Sequence, residues 1–231
     1  MKYTTLLMDA DDTVFDFPKC EYQALRSAMN GRGYPFDDEI CSTFSRINAA
    51  LWKKFEMNEI TRAELRIRRF REMIGTCFSY IDDLQTVSRE LADDYVRFLA
   101  QNAVYIKGAE EALEELVMHY DIYIITNGLK TVQRERLEIS GLNRFVKKAY
   151  ISDEMGVQKP DRKFFDMVLS DINEKDRTKV LVVGDSLTSD MQGGRNSGLD
   201  TCLYDPKGKV TMPHELCDYR ITDLKELLSF E

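Results

Sequence analysis

The stretch Tyr3-Thr-Thr-Leu-Leu-Met-Asp-Ala-Asp-Asp-Thr13 decides the fold expected of this chain. It begins with a short apolar run, residues 3–8, that is typical of a strand buried on both faces. Comparable runs follow at residues 122–126, 180–183 and 201–204, with a weaker one at 149–151. Amphipathic helical stretches lie between them, at residues 108–119, 130–140, 161–171 and 188–196. Strands that alternate with helices predict an α/β fold, a doubly wound parallel sheet with helices on both sides.

Residues 16–100 have a different pattern, with apolar residues at helical spacing almost throughout and no convincing strand. Thr61 and Glu64 have the spacing of a capping box, which predicts a helix start. The segment carries 13 Lys and Arg against 14 Asp and Glu, so it is near neutral within a chain of net charge −8. We therefore expect an inserted α-helical domain over residues 16–100 and an α/β core formed by residues 1–15 and 101–231. The end of the sequence predicts a last edge strand and a final helix N-capped at Thr222.

The composition limits the classes of function. A net charge of −8 gives no broad positive field, so we expect no binding to a nucleic-acid polymer. Five cysteines are scattered without the paired spacing of zinc or redox sites, which favours reduced thiols and a cytoplasmic location. The N-terminus lacks the apolar region of a signal peptide, and no apolar stretch is long enough to span a membrane. Since only two histidines are present, carboxylates are the main candidates for chemistry.

Polar side chains follow several of the predicted strands. In open α/β sheets, ligands bind beyond the carboxyl ends of the strands, so we expect these side chains to form one site. Residues two apart on an extended chain project to the same side, which would allow Asp9 and Asp11 to act together. The candidates are Asp9, Asp11 and Asp12 after the first run, Thr126 and Asn127 after the second, Lys159 before a helix, and Asp185 and Asp190 after the run at 180–183.

The order and placement of these groups closely resemble the haloacid dehalogenase superfamily. Its four motifs are an Asp-x-Asp-x-Thr/Val sequence, a Ser or Thr, a Lys, and an acidic pair after a late strand. The resemblance covers the core and the insert, which corresponds to a helical cap of the C1 type. It implies a mobile cap that closes over the site, excludes water and determines specificity.

The resemblance implies that Asp9 attacks phosphorus in line and forms an aspartyl-phosphate. Asp11 would give a proton to the departing oxygen and later take one from water. It also implies Mg²⁺ held by Asp9, Asp185 and the backbone carbonyl of Asp11, because this ion prefers oxygen ligands. The remaining roles concern charge and binding. Lys159 would add a fixed positive charge, Asp190 would orient the metal shell or Lys159, and Thr126 with backbone amides near Asn127 and Asp12 would bind phosphoryl oxygens.

Two features of the first motif refine the expected activity. Dehalogenases of the family lack the second aspartate, because a halide leaving group needs no proton, so Asp11 favours phosphoryl transfer. Asp12 stands where many relatives have glycine, which adds a third carboxylate and affects the geometry of the loop.

The opening Asp9-Ala-Asp-Asp-Thr-Val-Phe-Asp-Phe17 resembles a bacterial branch of pyrimidine nucleoside monophosphate phosphatases. A small phosphate monoester, in particular a nucleoside 5′-monophosphate, is therefore the expected substrate. Sugar-phosphate phosphatase, phosphoglycolate phosphatase and phosphomutase activities of the same family stay open. A phosphate sensor of the receiver type is disfavoured, because such modules are shorter and have no cap. The sequence does not predict an oligomeric state.

Several further side chains allow two interpretations. Phe15 and Phe17 could stack on a base, but packing at the joint between the core and the helical insert is favoured. Three arginines at helical spacing could face an anionic substrate, but a solvated helix face is favoured. These are Arg62, Arg66 and Arg69. Trp52 is expected in the core of the helical insert.

Overall fold

A computed structural model describes residues 2–78 and 80–230 of the chain. The chain forms two compact units. One consists of residues 1–17 and 103–231, and the other of residues 18–102, so each division lies two residues later than the boundary expected from the sequence.

The first unit contains a six-stranded parallel sheet in the order β3-β2-β1-β4-β5-β6. The strands are β1 (Thr5–Met8), β2 (Asp121–Thr126), β3 (Lys148–Ile151), β4 (Val180–Gly184), β5 (Asp200–Tyr204) and β6 (Tyr219–Ile221). All four predicted strands, the weaker one at 149–151 and the edge strand are confirmed. Since β1 lies between β2 and β4, the strands that carry three of the predicted motifs are neighbours.

Alternation along the strands buries both faces of the sheet. In β1, Leu6 and Met8 belong to one hydrophobic cluster, and Leu7 belongs to the other. Two neighbours in the chain thus face opposite layers, as the period of two in a strand requires. The helices of this unit are α5 (Ala109–Leu116), α6 (Lys130–Ile139), α7 (Ser152–Met155), α8 (Arg162–Asp171) and α9 (Gln192–Asn196). α5 and α8 contribute to different clusters, which confirms the doubly wound sheet with helices on both sides.

The second unit consists of helices and, within its described residues, contains no strand. Its helices are α1 (Phe17–Gly31), α2 (Asp38–Glu56), α3 (Arg62–Cys77) and α4 (Leu84–Ala100). The predicted capping box at the start of α3 is confirmed, since the Thr61 hydroxyl accepts from the Glu64 N–H and Glu64 accepts from the Thr61 N–H. Asp37 and Asp83 cap α2 and α4 in a similar way. This unit corresponds to the inserted α-helical cap domain expected from the sequence.

Two local predictions differ from the structure in detail. Residues 188–196 are helical as expected, but the segment consists of a π-helix, Leu187–Met191, followed by the short α9. The last helical segment is a 3₁₀ helix, Leu224–Ser229, whose cap is Asp223 and not Thr222.

Phe15 packs within the α/β unit, and a role at the joint with the helical insert stays a prediction. Its ring is fully buried in the core of the α/β unit and lies 5.4 Å from the ring of Tyr105. Phe17 is half-buried at the start of α1. Trp52 is half-buried in the helical unit, with its ring 5.5 Å from that of Phe55.

The three arginines of α3 differ from one another. Arg62 and Arg66 contact Phe55 and Asp93 near the surface, as a solvated helix face would. Arg69 is buried, and its guanidinium lies 4.5 Å from the ring centroid of Tyr95. The prediction of a solvated face is therefore wrong for Arg69, because aromatic groups from other helices enclose its side chain.

Over residues 2–78 and 80–230, no helix combines the length and the apolar character needed to cross a lipid bilayer.

Candidate active site

The candidate site lies at the carboxyl ends of the central strands. β1 pairs with β2 and β4 so that Met8 is opposite Ile124 and Val183. Asp9 comes next, and its N–H donates to the Val183 carbonyl at 2.8 Å. This register places the residue after β1 beside the last residues of both neighbours, as expected for a ligand site in an open parallel sheet.

Lys159 links the parts of the site. Its ammonium nitrogen donates to Asp9 Oδ1 at 2.6 Å, to Asp190 Oδ1 at 2.6 Å and to the carbonyl of Ile125 at 2.9 Å. The side chain is 1% exposed. Three acceptors satisfy the three donors of an ammonium group, and these bonds offset the energetic cost of burying the charge. Lys159 thus brings together Asp9, which is 150 positions away in the chain, and Asp190, which is 31 positions away.

Asn127 holds the main chain of Lys159. Its Nδ2 donates to the Lys159 carbonyl at 2.9 Å, and its Oδ1 accepts from the Lys159 N–H at 3.0 Å. The side-chain amide thus fixes the segment that carries the ammonium group. A substrate contact of Asn127 stays a prediction that concerns its backbone amide.

The acidic side chains converge on one position. Oxygens of Asp9, Asp185 and Asp190 lie within 4.8 Å of one another. Asp9 and Asp190 are buried, whereas Asp185 is exposed. A carboxylate set of this kind matches the oxygen ligands that Mg²⁺ prefers. Of the three, Asp190 is already bound to Lys159 and accepts from the Ser186 N–H at 3.2 Å, which agrees with a role in orienting the lysine.

The ionisation of these groups reflects their crowding. Burial away from water raises the pKa of Asp9, and repulsion from Asp190 and Asp11 adds to this, against the attraction of Lys159. Asp185 keeps contact with solvent, but protein atoms crowd its carboxyl group. This partial loss of hydration, with repulsion from Asp9 and Asp190, raises the pKa of Asp185 well above its ordinary value. Burial lowers the pKa of Lys159, but Asp190 and Asp9 more than offset it, so the net shift is upward and the lysine is charged. A cation bound among these carboxyl groups would offset the repulsion that raises their pKa values.

Asp11 is held by two side chains of α6 that were not among the predicted site residues. Arg136 Nη1 donates to Asp11 Oδ1 at 2.5 Å, and Gln133 Nε2 donates to Asp11 Oδ2 at 2.7 Å. A signal for both was present in the sequence, because they lie on the buried face of α6 with Val132 and Leu137. A polar residue at a core-facing position of a helix indicates a specific partner.

The remaining predicted residues are placed as follows. The Thr126 side chain is buried, and its hydroxyl accepts from the Gly128 N–H at 3.1 Å. Asp12 has φ 60°, a left-handed conformation that favours glycine and costs some backbone strain at this position. Its N–H donates to the Phe15 carbonyl at 2.8 Å, so this amide would have to exchange that bond for a phosphoryl contact.

Comparison with known proteins gives a family match. The family model described as haloacid dehalogenase-like hydrolase matches residues 6–204. The HAD-hydrolase YfnB of Bacillus subtilis is 36% identical over 98% of this chain and 94% of its own length. Two proteins named pyrimidine 5′-nucleotidases are also similar. PynA of Streptococcus pneumoniae is 34% identical over 99% of this chain and 94% of its own, and YjjG of Escherichia coli is 32% identical over 87% and 86%.

A solved structure of YfnB bound to magnesium matches the fold closely. It superposes with a TM-score of 0.90 at 35% identity and covers 99% of this chain and 98% of that one. That crystal form of YfnB reveals an interdomain movement.

Proposed function

The chain belongs to the haloacid dehalogenase-like hydrolase family, and from this premise we propose that it is a magnesium-dependent phosphatase acting on nucleoside 5′-monophosphates. The observation that carries the proposal is the bridge from Lys159 to both Asp9 and Asp190, with Asp185 close by. A dianionic phosphate repels a carboxylate nucleophile unless positive charge lies between them. Lys159 supplies one such charge, in contact with Asp9.

In the proposed reaction, Asp9 attacks phosphorus while the bond to the leaving oxygen breaks, and Asp11 gives a proton to that oxygen. Water then attacks the aspartyl-phosphate, Asp11 takes a proton from it, and inorganic phosphate leaves Asp9 in its original form. Mg²⁺ held by Asp9, Asp185 and the Asp11 carbonyl would neutralise charge on the phosphoryl oxygens. Lys159 and the Thr126 hydroxyl stabilise the charge that shifts in the transition state.

The nucleotide as substrate is supported by PynA and YjjG, both named pyrimidine 5′-nucleotidases, and by the opening sequence from Asp9 to Phe17. A cytoplasmic location is part of the same proposal. It is supported by the five cysteines of the chain, which are all free thiols.

A substrate panel tests the proposal. The purified chain is incubated with Mg²⁺ and thymidine, deoxyuridine or cytidine monophosphate, sugar phosphates or phosphoglycolate, and phosphate release is followed. We expect turnover of the pyrimidine nucleotides to exceed that of the other compounds. Asp9→Asn, which keeps the side-chain shape, should lose activity by roughly 10⁴-fold or more.

Other outcomes would redirect the assignment. Faster turnover of sugar phosphates or phosphoglycolate would reject the nucleotide as substrate and keep the phosphatase chemistry. Recovery of an isomer in place of phosphate would identify a mutase. Near-normal activity of Asp9→Asn would reject the nucleophile.

A further inference from the structure

Both oxygens of the Asp11 carboxyl group are bound to one helix. Arg136 and Gln133 lie one turn apart on α6 and donate to Oδ1 at 2.5 Å and to Oδ2 at 2.7 Å. Residues three apart on a helix project to the same side, which allows both to reach one carboxyl group. The two donors define the plane of that group as well as its position.

Arg136 is itself immobilised. Its side chain is 0% exposed, and the guanidinium carbon lies 4.6 Å from the ring centroid of Phe15, four residues after Asp11. Phe15 in turn is fully buried, and its carbonyl accepts from the Asp12 N–H. The arginine therefore binds the loop of the first motif through a charge contact and through a stacking contact.

Gln133 depends on a glycine in the second motif. A β-carbon at Gly128 would lie 2.3 Å from Gln133 Nε2 and 2.7 Å from Gln133 Cγ, so the Gln133 side chain would have to shift to admit it. Gly128 thus leaves the space that Gln133 occupies beside Asp11. The turn after β2 and the orientation of the Asp11 carboxyl group are linked through this contact.

A purely structural ion pair would not need an accessible carboxylate. The Asp11 side chain keeps 27% of its surface exposed although its arginine partner is completely buried. Each carboxylate oxygen has two lone pairs, so one donor at each leaves capacity for a proton and a further partner. We infer that Arg136, assisted by Gln133, is a positioning residue that holds the Asp11 carboxyl group in the orientation needed for proton transfer.

The inference rests on the proposed function and makes a distinct statement about it. When the bond between phosphorus and the leaving oxygen breaks, the electron pair goes to that oxygen, which takes the proton from Asp11. An alkoxide leaving group needs this proton, whereas p-nitrophenolate is stable enough to leave without it. Loss of orientation at Asp11 should therefore affect these two leaving groups unequally.

The test compares kcat/KM for p-nitrophenyl phosphate with kcat/KM for the best alkyl phosphate of the substrate panel. For Arg136→Met, we expect a loss of about 10²-fold or more with the alkyl phosphate and less than about 5-fold with p-nitrophenyl phosphate. Arg136→Lys should recover part of the loss, since it restores a charged donor. Arg134→Met is the matched control, because Arg134 lies on the same helix and pairs with Glu154 instead of Asp11, and both activities should stay unchanged.

A double mutant separates an effect that acts through Asp11 from a general loss of folding. If Arg136 acts through Asp11, then Arg136→Met should add little to the loss already caused by Asp11→Asn with the alkyl phosphate. Gln133→Leu, which keeps the buried volume and removes the donor, should show the same dependence on the leaving group and serves if Arg136→Met does not fold.

Three results would overturn the inference. Equal losses with both substrates would mean that Arg136 supports the fold or binds the phosphoryl group. Losses that multiply in the double mutant would show that Arg136 does not act through Asp11. Absence of phosphate release by the unmodified chain would reject the proposed function and this inference together, whereas normal release with either of the first two results rejects the inference alone.

Discussion

Lys159 is the residue on which the charge balance of the site depends most. A buried ammonium group with three acceptors fixes Asp9 and Asp190 at 2.6 Å each. Removal of such a partner leaves uncompensated buried charges, which is more damaging than the pair itself is stabilising. Asn127 serves this residue by holding its main chain on both sides. At the scale of single residues, the site is thus a set of side chains that position one another.

Gly128→Ala should be harmful for a steric reason. Because the new methyl group would lie 2.3 Å from Gln133 Nε2, Gln133 must move and give up its bond to Asp11. We expect a loss of about 1–3 kcal/mol in the free energy of unfolding, together with reduced phosphatase activity. Thermal unfolding and phosphate release measure the two effects.

Gly75→Ala is the control for this substitution. Gly75 lies inside α3, and no atom is found within 4 Å of a β-carbon added there. Alanine should therefore raise stability by about 0.5–1 kcal/mol through helix propensity. Similar tolerance of both substitutions would contradict the assigned role of Gly128.

Individual catalytic candidates could be predicted from the sequence because each follows a buried apolar run. Asp9, Thr126 and Asp185 come directly at or after the ends of β1, β2 and β4, and parallel strands bring such ends together. Arg136 and Gln133 could not be assigned to Asp11 in this way. Their partner is more than 120 positions away in the chain, and helical periodicity gives the face of a residue without its contacts.

At the scale of elements, short connections and capping determine where helices begin and end. The strands were predictable because apolar runs rich in β-branched residues are distinctive. The turn from Ser186 to Met191 was not, since one wide π-turn has nearly the same apolar spacing as an α-helix. There the Ser186 N–H must reach Asp190, which itself is held by Lys159. The π-helix thus coincides with a long-range contact between Asp190 and Lys159, which the spacing of apolar residues in the sequence does not reveal.

Thr61→Ala should weaken the helical unit. The substitution removes the hydroxyl that accepts from the Glu64 N–H at the start of α3, and it should cost about 1 kcal/mol. Denaturant unfolding can be followed by the fluorescence of Trp52, the single tryptophan, which lies in the same unit.

Thr76→Ala provides the comparison for the capping box. Thr76 is an exposed threonine of the same helix whose hydroxyl donates to the Glu72 carbonyl, so its removal should leave stability unchanged or slightly higher. An equal loss for both variants would mean that the capping box contributes nothing specific.

At the scale of the whole molecule, three of the acidic side chains of an acidic chain meet where catalysis is proposed. The chain carries a net charge of −8, and part of this charge is gathered at the ends of β1 and β4, where three carboxylates lie within 4.8 Å. Loss of hydration and mutual repulsion raise the pKa values of Asp9 and Asp185. Such crowding costs stability in the absence of a cation.

Binding of Mg²⁺ should therefore stabilise the folded chain. At an ion concentration about 100 times the dissociation constant, the free energy of unfolding should rise by about 2.7 kcal/mol, and EDTA should reverse the effect and abolish phosphate release. Differential scanning calorimetry with and without Mg²⁺ measures the shift.

The variant Asp185→Asn separates stabilisation by Mg²⁺ from the cost of repulsion among the carboxylates. It should lose the shift caused by Mg²⁺ and, in EDTA, be at least as stable as the unmodified chain, because one repelling carboxylate is gone. Asp171→Asn, at an exposed residue paired with Lys148, should keep the full shift. A normal shift in Asp185→Asn would exclude Asp185 as a metal ligand.

The strand order has a consequence for synthesis on the ribosome. β1 is translated before its partners β2 and β4, which begin at Asp121 and Val180, so it can pair on one side only after about half of the chain has been made and on both sides only after β4 follows. The helices between β1 and β2 have mainly local contacts and can form early, whereas pairing across more than 110 residues closes slowly. During that interval, the apolar strand that precedes Asp9 is exposed and prone to aggregation. A chaperone that binds this segment should raise the yield of folded protein.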